Sequence, residues 1–133
     1  MNLPRVRTAL LLAAACWVAQ GCNSSASPQE IASGQRLYLT NGCAACHGPS
    51  GRGDGPVAAT LAMPPRNFLD PASFRFGYTQ ESIAWVIATG TATAGGAMPA
   101  YPFLSQKDRR LVAAYILSLG SGDSCSSPPG KSP

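Results

Sequence analysis

The chain of 133 residues holds a single histidine, His47, and only 12% of its residues are charged. One imidazole excludes every site built on two of them, including a His-rich zinc centre or a HExxH protease. No basic run extends beyond Arg109-Arg110, no segment repeats, and no alternating pattern is long enough to make a strand. The apolar run Thr8–Val18 has eleven residues. As a helix it would rise about 16 Å, short of the roughly 30 Å of a hydrocarbon core. What is present is a hydrophobic fraction of 45%, too high at so low a charge for a disordered chain, and enough for one compact domain.

The N-terminus reads as an address. Arg5 and Arg7 precede the apolar run with no acid among them, the n-region and h-region of a secretory signal. Ala19-Gln20-Gly21-Cys22 follows, and a small residue directly before cysteine resembles the lipobox of bacterial lipoproteins. That resemblance implies cleavage after residue 21 and acylation of Cys22, which would hold the protein on a membrane. Ordinary cleavage nearby, leaving Cys22 a free thiol, is the other reading. The formal charge of +4 falls to +2 when Arg5 and Arg7 are removed. The remaining charges are scattered, so nucleic acid has little support as a partner.

Residues 22–27 form a short polar tether. Ser27 then reads as a helix N-cap, with Pro28 at the first helical position and Glu30 completing a capping box. Ile31, Gly34, Leu37 and Tyr38 share one face, and Asn41-Gly42 supplies a left-handed stop immediately before Cys43. Residues 48–71 are too rich in glycine and proline for regular structure. A second helix is expected from Gln80 to about Thr89, capped by Thr79 and ended by Gly90. A third, capped by Ser105, buries Leu111, Val112, Tyr115, Ile116 and Leu119 and stops at Gly120. Residues 121–133 are a Ser-, Gly- and Pro-rich tail expected to be disordered. Three short helices with long loops bury too little apolar surface to stand alone, so something other than side chains is expected at the centre.

The chemistry lies in Cys43-Ala44-Ala45-Cys46-His47. Two cysteines three apart at a helix end, with histidine directly after, suit two thioether bonds to a haem and an imidazole on its iron. A thioredoxin-like redox pair would need a βαβ framework, and a zinc site would need four ligands, with only Cys125 left to add to these three. Gly51, Gly53 and Gly55 mimic a phosphate loop, but no strand precedes them.

With GCAACHG, Gly34 and Tyr38 before it, the Gly-Ala-Met-Pro segment at residues 96–99, and Tyr115 in LVAAYILSL, the chain resembles the single-haem class I cytochromes c over residues 28–120. The loop CHGPSGRGDGP, with MPPRNF after it, is similar to bacterial periplasmic members. The resemblance implies an all-α fold of three to five short helices around one covalent haem c. It also implies a crossing of the first and last helices, which Gly34 and Tyr115 would mediate, and a proline carbonyl, from Pro56, Pro64 or Pro65, accepting from His47 Nδ1. His47 would be the proximal iron ligand and Met98 the distal one, with Met63 the alternative. Arg66, Trp85 and Tyr101 are candidates for the haem propionates, and Phe74, Phe76, Tyr78 and Trp85 for the pocket wall.

The implied function is one-electron transfer, not catalysis, in a bacterial periplasmic respiratory or related redox chain. Partners would be redox proteins met by transient contact, and the membrane through a lipid on Cys22. Two alternatives stand: a haem subunit that works only inside a larger oxidoreductase complex, and a five-coordinate haem gas sensor or peroxidase. Cys125 is left over, and a Cys22–Cys125 disulfide is feasible if Cys22 is not acylated.

Overall fold

The computed structural model describes residues 26–121. The expected signal segment, Cys22 with most of the tether, and the tail with Cys125 lie outside them. The described residues are helical with no strand: α1 is Pro28–Thr40, α2 is Cys43–His47, α3 is Gln80–Thr89 and α4 is Gln106–Gly120. Three single 3-10 turns, Ala58–Thr60, Pro71–Ser73 and Ala92–Ala94, punctuate the loops. Among these residues no helix is long and apolar enough to cross a membrane.

Each long helix begins where a side chain can take up an N–H that the helix itself cannot satisfy. Ser27 Oγ accepts from Glu30 N while the Glu30 carboxylate accepts from Ser27 N at 2.8 Å, the reciprocal box the sequence spells. Thr79 and Ser82 form the same arrangement on α3, and Ser105 accepts from Asp108 N at 3.0 Å on α4. Asn41 closes α1, its backbone and side-chain amides both donating to the Leu37 carbonyl, and Gly42 turns the chain at φ 76°.

The most extensive contact is between α1 and α4, with α3 laid against α4 beside it. Gly34 makes the crossing possible. A Cβ there would overlap the Leu111 carbonyl oxygen and come within 2.9 Å of Tyr115 Cβ, so a side chain would push the helices apart. Tyr38, fully buried, meets Tyr115 edge-on at 5.3 Å between ring centroids. Its hydroxyl donates to the Gly48 carbonyl at 2.6 Å, so the phenol satisfies its own buried polar end. Burial of each such side chain is worth about 1.5–3 kcal/mol. Phe68, Ile83, Ile87, Leu104, Val112 and Ile116 complete the core.

The first helix ends before Cys43 with a left-handed Gly42, as the sequence indicates, but the cysteines then sit on a helix of their own, five residues long, which the sequence reading does not include. One turn of helix is unstable by itself. It persists because the loop behind it supplies partners: Gly48 N donates to Ala44 O, Val57 N to Ala45 O, Gly55 N to Cys46 O and Gly53 N to His47 O, at 2.8–3.1 Å. The carbonyls that a helix C-terminus leaves open are thus all satisfied. Gly53 is needed for this wrapping, since its φ is 79° and a Cβ would sit 2.6 Å from the Pro65 carbonyl oxygen.

Candidate functional site

A cleft partly open to solvent lies between α2, α3 and the two long loops. This is the space the short helices fail to fill. Cys43, Cys46 and His47 line it from α2, with Met63, Arg66 and Phe68 from the first loop. Phe74, Arg75 and Phe76 follow, then Ile83, Val86 and Ile87 from α3, Met98 and Tyr101 from the second loop, and Ile116 from α4. Its walls are apolar, with few polar groups, as a cofactor site requires.

His47 is held on two sides. Its Nδ1 donates to a backbone carbonyl at 3.2 Å, and its ring stacks on Phe68 with centroids 4.4 Å apart and planes 23° from parallel. The carbonyl belongs to Arg66. None of Pro56, Pro64 and Pro65 provides it; the proline pair delivers the next residue instead, because Phe68 N is bonded to Gly51 O at 2.7 Å and fixes where the strand of loop before it runs. With its proton on Nδ1, the ring leaves the Nε2 lone pair free. Burial lowers the pKa of His47 and outweighs the carbonyl, which raises it, so the imidazole is kept neutral and able to bind a metal.

Cys43 is held as a thiol. Burial, reinforced by Cys46, pushes the Cys43 thiol up to about 11 against an opposing backbone hydrogen bond. A redox pair or a thiolate site for zinc needs the opposite shift. Neither Cys43 nor Cys46 is in a disulfide, and among the described residues no three His, Cys, Asp or Glu side chains gather as a metal-ion cluster. Two unpaired cysteines and one neutral imidazole on a single turn, facing an apolar cleft, fit a planar apolar cofactor held covalently at one edge and ligated by His47.

Met98 and Met63 both line the cleft but differ in support. The Met98 carbonyl accepts from Thr91 N at 3.0 Å and its N–H donates to Thr91 Oγ1 at 3.1 Å, while Tyr101 N donates to Ile87 O at 2.8 Å. Met98 is therefore pinned to the end of α3. Met63 is 41% exposed.

Of the three propionate candidates, Arg66 and Tyr101 line the cleft and Trp85 does not. Trp85 is 55% exposed on the outer side of α3, its ring edge-on to Phe76 at 5.8 Å. Ile83, Ala84 and Ile87 define the buried stripe of that helix, and residue 85 lies roughly 200° of helical turn from both isoleucines, so the helical period itself put the indole outside. Tyr78 is also absent from the cleft lining; its hydroxyl donates to the Leu117 carbonyl at 3.2 Å behind Phe74. Arg75 was not foreseen. It lines the cleft, and its Nη1 donates to the Ala94 carbonyl at 3.1 Å, a contact across 19 residues of loop that no periodic signal announces.

Comparison with known proteins agrees with this geometry. The family model described as "Cytochrome c" matches residues 31–120. Over 86 residues the chain is 28% identical to cytochrome c oxidase subunit 2 of Alkalihalophilus pseudofirmus, a match that covers 65% of this chain and 25% of that protein. A solved chain of the reducing HAO-like protein complex of Kuenenia stuttgartiensis superposes with a TM-score of 0.63 at 28% identity, over 74% of this chain and 47% of that one. The chain thus spans a quarter of the curated relative and about half of the solved one.

The matched span contains every element that builds the cleft, and the only histidine allows one attachment motif and one covalent haem c. By that span and that motif, this chain belongs to the cytochrome c family, as a class I single-haem protein.

Proposed function

We propose that the protein is a one-electron carrier of a bacterial periplasmic redox chain, with the haem iron ligated by His47 and Met98. The observation that carries the ligation is the pinning of Met98 at both its N–H and its carbonyl by Thr91. When bound, the haem supplies a one-electron Fe(III)/Fe(II) couple, and a thioether ligand raises its potential. Cys43 and Cys46 would hold the ring by thioether bonds, and the Arg66 carbonyl would orient His47. Arg66 and Tyr101, which line the cleft, would meet the propionates. The apolar walls exclude water, which keeps reorganisation small when the charge changes. The segment ahead of α1 supports export, with Cys22 acylated and residues 22–27 as a tether to the membrane.

The test is spectroscopic. The oxidised holoprotein should show a weak far-red Met-to-iron charge-transfer band that survives Met63→Ala and disappears in Met98→Ala. Rapid binding of CO by the reduced wild type would instead favour the five-coordinate reading. Intact mass of membrane-extracted protein reports acylation of Cys22.

A second reading, a haem subunit within a larger redox complex, is favoured by the relatives, since one is an oxidase subunit and the other belongs to a multi-protein complex. Native size after mild extraction separates the two: a single chain supports the free carrier, and co-migration with other redox subunits supports the assembly.

A further inference from the structure

Trp85 is the conspicuous residue that the haem site leaves unused. A tryptophan more than half exposed is unusual on a surface without a partner, and tryptophan and arginine are the residues most enriched where binding energy concentrates. Trp85 lies in a shallow groove between α3 and α4 that Arg109 and Arg110 also line. Its edge-to-face partner is Phe76, which lines the cleft and is itself 38% exposed. Two rings 5.8 Å apart therefore run from the cofactor cleft to the outer surface of α3.

The charge around this pair has one sign in excess. The one acid lining the groove, Glu81, is bonded to Arg110 at 2.6 Å. Asp108, on the neighbouring turn, is turned to the Ser105 hydroxyl at 2.7 Å. Arg109, in no salt bridge among the described residues, lines the same groove as the indole, and Arg75 places its guanidinium carbon 5.9 Å from the centre of the Phe76 ring. An apolar centre with a cationic rim favours an acidic surface and steers it in from a distance.

We infer that the Trp85–Phe76 face is a docking surface for an acidic redox protein, through which one electron enters or leaves the cofactor. The inference rests on the chain acting as an electron carrier. The exchange is a single electron, lost by the donor centre and gained by the acceptor centre, with no bond made or broken and neither ring oxidised. The rings shorten the gap across which the electron tunnels, and the arginines hold the partner there.

The experiment uses the oxidised holoprotein and a reduced, acidic plant-type [2Fe–2S] ferredoxin as the probe, whose potential near −400 mV makes it a one-electron donor. Stopped-flow rates are taken as a ratio to the rate with hexaammineruthenium(II), a small cation that needs no docking face. The ratio should fall about tenfold in Trp85→Ala and in Arg109→Glu, recover in Trp85→Phe, and decline with added salt in the wild type. Phe103→Ala, which removes the most exposed large apolar side chain on the chain's described surface, should leave it within about twofold. A wild-type ratio in Trp85→Ala, or a loss in Phe103→Ala in its place, overturns the inference. If the wild type accepts an electron from neither reductant, the carrier reading fails and this face fails with it.

Discussion

The two walls of the cleft are built differently. The wall that bears Cys43, Cys46 and His47 is a helix of one turn enclosed by backbone: four loop N–H groups on its carbonyls, Tyr38 bonded to Gly48, Tyr115 bonded to Pro49 at 3.3 Å, and Phe68 under the His47 ring. The wall that bears Met98 hangs from one end of α3. Thr91 is its hub, with its carbonyl accepting from Ala94 and Gly96, its N–H donating to Met98 O and its hydroxyl accepting from Met98 N, and Arg75 adds a single side-chain bond from across the cleft. One wall is held by the core and the other by a few bonds at its rim. A covalent attachment suits the first, and a ligand bond that has to form and hold at a loop suits the second. Opening free energies differ across a protein in this manner, lowest where buried contacts are fewest.

The largest effect should come from breaking the support common to the first wall. Gly34→Val puts two methyl groups where a single Cβ already overlaps the Leu111 carbonyl, and since the obstacle is backbone the helices must separate. The expected loss exceeds about 3 kcal/mol, seen as failure to recover folded holoprotein. Recovery of holoprotein with a wild-type melting temperature would show that the α1–α4 crossing is not what supports the motif.

Tyr38→Phe is the next step down. The ring and its packing stay, but the Gly48 carbonyl loses the shorter of its two donors and keeps only Gly51 N at 3.2 Å, at about 1–2 kcal/mol. Thermal unfolding should shift down while the far-red band is unchanged, because Gly48 belongs to the His47 wall. A lost band with an unshifted melt would contradict the independence of the walls.

What the sequence made legible follows the same division. The caps at Ser27, Thr79 and Ser105 reach three residues, so a short-range reading finds them, and the apolar faces of α1 and α3 follow from a period of 3.6. On α4 the period is blurred: residues 112–116 are all buried and Leu111 and Leu119 only half-buried, because α1 and α3 both pack on that helix. CAACH was legible because its chemistry is contained in five residues. The Arg66 carbonyl was not, because the register of a loop 19 residues further on depends on bonds such as Phe68 N to Gly51 O, which pair distant backbone atoms without regard to side-chain type. The separate helix α2 was hidden for a similar reason: its stability resides in the loop that wraps it. Trp85 is different, since the period of α3 turned it outward and only the expectation of a cofactor contact turned it inward. The cleft was foreseen as a deficit of apolar burial, and its Arg75 was not, having no pattern around it.

Thr91→Val probes the second wall with little change of shape. It removes the acceptor of the Met98 N–H while keeping the residue's volume, and the stability cost should be about 1 kcal/mol, smaller than that of Tyr38→Phe. Here the band should weaken, and exogenous imidazole should bind the oxidised holoprotein several-fold more tightly, with the melt only slightly changed. Equal binding in Thr91→Val and wild type would mean that Thr91 does not hold the Met98 loop.

The smallest effect is expected at Arg75. Its bond to the Ala94 carbonyl is exposed, so its net contribution should be under about 1 kcal/mol, and the melting temperature of Arg75→Ala should stay close to that of wild type. The bond nevertheless joins segments on both sides of the cleft mouth, residues 74–76 and 92–94, and among residues 90–104 no other side-chain hydrogen bond reaches outside α3 and the loop itself. Its loss should therefore appear as a faster approach of imidazole to the iron, by about twofold to fivefold for a contribution of that size. Arg75→Lys should restore part of the difference, because an ammonium can still donate to the Ala94 carbonyl but cannot span it with a planar fork. If Arg75→Ala binds imidazole at the wild-type rate while Thr91→Val binds it faster, the Met98 wall is held from α3 alone, and the contrast between the walls becomes sharper than the structure by itself requires.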